Sequence, residues 1–170
     1  LKISPKSLTT LKLEIQMFFF INFTGESEQR TLTYCENEYS FDMSPWESNI
    51  DFDLSINQLC LTVVDGKIIQ LSGFCGLSKK MISDFLTPES KKGELRILNV
   101  NKYLSGVGSY GISDEEFPVY INIVTGWVCV GFPEKKGFAV EFIDNCIAVI
   151  SDKQKLVSLW LKPLRLPSLS

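Results

Sequence analysis

From Pro118 to Pro163 the chain is a succession of five short apolar runs, VYINIV, WVCVGF, FAVEFI, CIAVI and KLVSLWL, separated by turn-forming residues. Segments this short and this rich in β-branched and aromatic side chains are strands. Pro163 and Pro167 then close the chain as a tail unable to extend a central strand. The upstream part carries the same signal. Ile56 to Val64 and Lys67 to Leu71 flank Asp65-Gly66. That dipeptide favours a type I′ hairpin turn, because both central positions need positive φ. Arg30 to Cys35 and Glu94 to Val100 read as further strands, as does Leu11 to Phe23, which alternates early and then becomes continuously apolar. Glu36 to Asp53 is polar, acidic and broken by Pro45, hence loop with room for one short strand. Leu77, Met81, Ile82, Phe85 and Leu86 recur at helical spacing after Ser78 and stop before Pro88, which predicts a short helix of two to three turns. The expectation is a mainly β chain: an antiparallel β-sandwich or open barrel of about nine strands with one short helix. All 170 residues are read as a single β-rich domain.

Composition narrows the chemistry. A hydrophobic fraction of 45% with 22% charged residues is that of a globular chain. There is no histidine, which excludes Ser-His-Asp and Cys-His nucleophilic sites and His-ligated metals. The five cysteines, Cys35, Cys60, Cys75, Cys129 and Cys146, form no CxxC pair, and four lie in apolar runs. They read as reduced, structural thiols of a cytoplasmic protein. The apolar stretch Met17 to Phe23 is far shorter than the ~20 residues that cross a bilayer, and it lacks the cleavage site of a signal peptide.

Three motifs suggest chemistry, and each has a simpler reading. Gly106-Val-Gly108-Ser-Tyr-Gly111 matches G-x-G-x-x-G, but Asp114, Glu115, Glu116 and Pro118 stand where a phosphate-binding helix would have to start. Asp51 and Asp53 would share one face of an extended segment and could hold Mg²⁺ for hydrolysis; a solvated acidic edge is the simpler reading. Cys75, beside Lys79 and Lys80, is the one candidate nucleophile, and a lysine is a poor substitute for the missing imidazole. No catalytic residue, metal or cofactor is expected. The scattered Lys-Lys pairs argue against direct nucleic-acid binding.

The distribution of acid says more than the net charge of −3. Between Thr24 and Cys60 stand Glu26, Glu28, Glu36, Glu38, Asp42, Glu47, Asp51 and Asp53, opposed only by Arg30, a local charge of −7. Tyr34, Tyr39, Phe41, Trp46 and Phe52 are interleaved with them. Carboxylates steer a basic partner, and aromatic side chains supply the desolvated anchors of an interface. The candidate partner-binding residues are therefore Glu36, Glu38, Asp42, Trp46, Glu47, Asp51 and Asp53, with the Asp114, Glu115, Glu116 loop as a second contact region.

Leu54-Ser-Ile-Asn-Gln-Leu59 running into Cys60 to Leu71, then Gly126-Trp127-Val-Cys-Val-Gly131, then Val140-Glu-Phe-Ile-Asp144 with Leu156-Val-Ser-Leu-Trp160-Leu-Lys-Pro163, together cover about half the chain. With the acidic balance, these segments resemble the small immunity proteins of bacterial toxin–immunity systems, including those paired with contact-dependent growth-inhibition toxins. They are hairpin signatures, so no functional residue carries over from the family. The resemblance implies a non-enzymatic cytoplasmic inhibitor whose partner is a cognate toxin domain, a basic nuclease, blocked at its active site. Neither nucleic acid nor a membrane is expected as a partner. Two other readings stay open: a small-ligand-binding β-barrel or sandwich lined by the twelve Phe, and a metal-dependent hydrolase built on Asp51 and Asp53.

Overall fold

The computed structural model describes residues 17–98, 100 and 109–169. The chain is mostly β, with 49% of residues in strands and 3% helical, arranged in two sheets of which one is strongly curled into a half-barrel. In chain order the strands are β1 (Phe19–Asn22), β2 (Thr31–Cys35), β3 (Ser40–Ser44), β4 (Phe52–Ile56), β5 (Leu59–Val64), β6 (Lys67–Phe74) and β7 (Lys91–Lys92). They continue as β8 (Glu94–Ile97), β9 (Ser109–Gly111), β10 (Val119–Asn122), β11 (Trp127–Gly131), β12 (Phe138–Ile143), β13 (Cys146–Ile150) and β14 (Leu156–Leu161). The first sheet runs β1-β8-β6-β5-β4-β9, with the β2–β3 hairpin joined to the end of β6 through β3. The second runs β10-β11-β14-β13-β12-β7.

Among the described residues, fourteen strands replace the expected nine. The acidic segment holds two strands, β3 and β4, and the edge strands β7 and β9 are too short to announce themselves in sequence. The five C-terminal runs become β10 to β14. Asp65 (φ 50°) and Gly66 (φ 75°) form the anticipated turn between β5 and β6. The upstream boundary of that hairpin moves, however. Ile56 ends β4, Asn57 turns the chain at φ 54°, and β5 starts at Leu59. Of the long N-terminal strand, residues 11–16 lie outside the described residues and the remainder supplies β1. Gly106 and Gly108 also lie outside them, and the next element along the chain is the strand β9 rather than a helix.

The expected helix is corrected. Only Lys79–Met81 makes a 3₁₀ turn, and residues 82–90 continue without regular structure. The helical spacing misleads because these apolar side chains serve different layers. Leu77 and Met81 pack into the core between the sheets, Phe85 packs on the far side of the second sheet, and Ile82 and Leu86 are exposed. A single helical stripe could not do all three.

One core holds the two sheets together. Phe19, Phe41, Leu54, Leu61, Ile68 and Leu95 of the first sheet meet Ile121, Val128, Phe142, Ala148 and Leu159 of the second. The second sheet is apolar on its other face as well, where Cys129, Ile147, Val149, Val157 and Trp160 form a separate buried cluster with Phe85. Glycine is required where strands pass closely. At Gly131 (φ 127°) a Cβ would sit 2.8 Å from Ser158 Cα, which allows β11 to lie against β14.

The cysteines pair with none of their fellows. Burial, reinforced by nearby Glu116 and Glu134 respectively, pushes the Cys75 and Cys129 thiols up to about 12, and burial holds Cys146 well above the usual range. An acid whose folded pKa is raised leaves the fold undisturbed below its unfolded pKa, and stability is lost as pH climbs from there toward the folded value. The thermal midpoint should therefore hold up to about pH 9 and fall steadily between pH 9 and 12. Cys129→Val should flatten that fall, as measured by circular dichroism melts across the range.

Candidate functional site

The acidic stretch is laid out by the β2–β3 and β4–β5 hairpins. Because β3 pairs with the end of β6 (Ser40 with Phe74, Phe41 with Gly73), the β2–β3 turn lies beside the start of β5, where Leu59 pairs with Gly73. The same end receives the loop that follows β9. Asn57 clamps it with two hydrogen bonds, its Nδ2 donating to the Phe117 carbonyl at 3.0 Å and its Oδ1 accepting from the Phe117 N–H at 2.7 Å. Glu36, Glu38, Asp114, Glu115 and Glu116 are thus gathered, all exposed, at one end of the first sheet. Glu116 stands close enough to Cys75 to help raise its pKa. Lys79 and Lys80, in the 3₁₀ turn a few residues beyond Cys75, are the nearest bases along the chain.

Two aromatic rings lie among these carboxylates. Tyr39 and Phe74 form an edge-to-face pair with centroids 6.3 Å apart, and they are 55% and 47% exposed. The pair is held from behind. Tyr39 occupies the left-handed region at φ 53°, and its carbonyl accepts the Cys75 N–H at 2.8 Å. The Tyr34 hydroxyl donates to the Cys75 carbonyl at 2.6 Å while its ring stacks edge-on against buried Phe41. A non-glycine residue at positive φ persists only where its surroundings hold it.

The remaining candidate residues go elsewhere. Asp51 lies at the opposite end of β4, where its carboxylate accepts the Asp65 N–H at 2.8 Å. Asp53 projects from the middle of β4 and accepts the Thr62 hydroxyl at 2.9 Å. Asp42 is exposed on β3 and accepts the N–H of its neighbour Met43. Trp46 is 47% exposed on a loop fastened through Glu47, whose N–H and carbonyl bond the side-chain amide of buried Gln70 at 2.9 and 2.8 Å. The ten residues therefore do not form one surface. Five share the Tyr39–Phe74 end, Glu47 adjoins Trp46 on the loop before β4, Asp51 lies at the start of β4, and Asp42 and Asp53 lie on the strands β3 and β4.

Arg30, the one base of the stretch, neutralises little of this surface. Its side chain is only 12% exposed, donates to the carbonyls of Ile69 and Pro45, and lies 3.9 Å from Glu28. Glu28 itself pairs with Lys67 at 2.7 Å. Asp51 and Asp53 each engage a protein donor, and among the described residues no three Cys, Asp or Glu side chains come together in a way that could hold a metal ion. Cys75, buried and with its pKa raised to about 12, is a thiol at neutral pH.

Sequence reasoning missed Phe74 and Asn57. Phe74 closes a strand with no acidic neighbour, and it meets Tyr39 only because β3 docks on β6. Asn57 carried a usable signal, since Asn tolerates positive φ and breaks an otherwise apolar run.

No protein-family model matches the chain, and no curated protein sequence is significantly similar to it. No helix among the described residues is long and apolar enough to cross a membrane.

Asn57→Ala should remove both clamping hydrogen bonds and force Ala into the left-handed region, costing about 3 kcal/mol in urea unfolding. Asn57→Gly relieves the backbone but not the bonds and should cost about half as much. In both variants, amide exchange across residues 113–117 should accelerate.

Proposed function

We propose that this protein is a non-catalytic inhibitor of the immunity-protein kind, which binds a basic protein through the end of the first sheet that carries Tyr39 and Phe74. The observation behind this reading is an exposed, rigidly backed aromatic pair surrounded by five carboxylates, with the arginine of the acidic stretch turned inward. The two components do different work. About half of each ring is available, roughly 100 Å² per ring, so desolvating the pair is worth about 2 kcal/mol per ring. The exposed carboxylates contribute little binding energy one by one, but together they raise the association rate and select a cationic partner. An inhibitor of this design covers the basic groove of a nuclease with side chains that mimic phosphate charge. A cytoplasmic location, where the thiols stay reduced, suits it.

The reading is tested with the basic toxin domain encoded beside this protein, since toxin and immunity genes are neighbours in the systems the chain resembles. Association should be fast and fall steeply with salt. Reversing Glu36, Glu38, Glu115 and Glu116 to Lys should slow it at least tenfold at low ionic strength, while Tyr39→Ala and Phe74→Ala should mainly speed dissociation. Glu47→Lys with Asp51→Lys should change neither rate by more than about twofold. Loss of binding on Trp46→Ala, with the Tyr39 and Phe74 variants unaffected, would move the interface to the other end of β4. No association at all would end the inhibitor reading.

A further inference from the structure

Strands β6 and β8 are neighbours in the first sheet, yet the chain between them takes a long detour around the second. Past the 3₁₀ turn, Ile82 bridges Ile121 of β10, at one edge of the second sheet, and the Ser83 N–H donates to the Ile121 carbonyl at 2.8 Å. Lys91 and Lys92 then pair with Val140 and Glu141 of β12, toward the opposite edge. Residues 83–90 must cross the intervening strands. From the outer side of β10 to the outer side of β12 is six strand spacings, roughly 29 Å across the sheet, which the chain from Ile82 to Lys91 spans only when nearly fully extended. Phe85 packs in the outer apolar cluster and stacks edge-on against Tyr120 with centroids 5.1 Å apart, so the crossing runs over the face that carries Cys129, Ile147, Val149, Val157 and Trp160.

The two ends of this segment are held differently from its middle. Lys92 is tied on both sides, pairing in β7 and accepting the Gly25 N–H at 3.1 Å. Between Ser83 and the β7 pairing, the hydrogen bond described for the segment is a single side-chain contact, the Asn122 Nδ2 donating to the Phe85 carbonyl at 3.0 Å. Ile82 and Leu86 turn outward, 43% and 72% exposed, and so contribute little to holding it down. At its start, the Ser83 hydroxyl is buried without a hydrogen-bond partner among the described residues. An unsatisfied buried hydroxyl favours the state in which water reaches it.

We propose that residues 82–90 form a strap that lifts as a unit while the two-sheet core stays folded, uncovering the apolar face of β11, β14 and β13. Phe85 is its latch and the Ser83 hydroxyl biases it toward release. The two layers of the second sheet provide an internal comparison. Cys129 faces the strap, whereas Cys146, on β13 of the same sheet, faces the core shared by the sheets.

Native-state alkylation of the full chain, resolved peptide by peptide by mass spectrometry over a series of low urea concentrations, reads the two thiols separately. Cys129 should react at least tenfold faster than Cys146 and with much weaker urea dependence, the mark of local opening. Phe85→Ala should accelerate Cys129 about tenfold or more and leave Cys146 within twofold. Ser83→Ala, which removes the unsatisfied hydroxyl and is not expected to harm the fold, should slow Cys129 about fivefold. Equal rates and equal urea dependence for the two thiols would overturn the proposal, because exposure would then require global unfolding. A Cys129 rate unmoved by both substitutions would overturn it too, by placing the opening elsewhere.

Discussion

The second sheet has no polar face, and the rest of the molecule is arranged around that constraint. On β13 and β14, neighbouring side chains enter different cores: Ala148 meets the first sheet while Ile147 and Val149 point away, and Leu159 and Trp160 divide in the same manner. A sheet apolar on both sides must be covered on both sides. The first sheet covers one. The other is covered by the connection between β6 and β8, which could have been a short turn and is instead drawn around the second sheet. The detour ties the layers together, and it leaves the outer cluster under a segment with few bonds along its middle.

Charge follows the same division. The second sheet, turned inward on both faces, offers little surface for a large acidic field, and the carboxylates concentrate on the turns and loops of the first. Their positions depend on strand pairing. β3 brings Glu36, Glu38 and Tyr39 to the end of β6, and Asn57 brings Asp114, Glu115 and Glu116 to the same place. Arg30, at the open end of the β2–β3 hairpin and bonded to the carbonyls of Ile69 and Pro45, leaves the Tyr39 end without the one base of the acidic stretch. The aromatic pair then supplies what charge cannot, since exposed ion pairs contribute little affinity in water while a desolvated ring contributes much.

Local chemistry was legible wherever a single segment decides the outcome. The Asp65-Gly66 turn followed from its need for two positive φ values, and the five C-terminal runs became strands because nothing in them can make a surface helix. WVCVG, CIAVI and LVSLWL do not alternate, which by itself demands cover on both faces. Local pattern says nothing where a residue's role depends on a distant partner. Leu77, Met81, Phe85 and Leu86 imitate a helical stripe, but they divide among two cores and solvent. Asp42, Glu47, Asp51 and Asp53 are near Glu36 and Glu38 in sequence and are carried away from them by the run of β3 and β4.

The sequence by itself determined that the chain is a β protein without histidine chemistry, with its acid crowded into one stretch, because strand propensity, turn chemistry and composition are properties of short segments. Only the tertiary structure decided which five of the carboxylates stand together, that Tyr39 meets Phe74, and that a helix-like run lies flat across a sheet. Each of those outcomes rests on contacts between residues tens of positions apart. Such contacts follow from strand order and register, which no local pattern encodes.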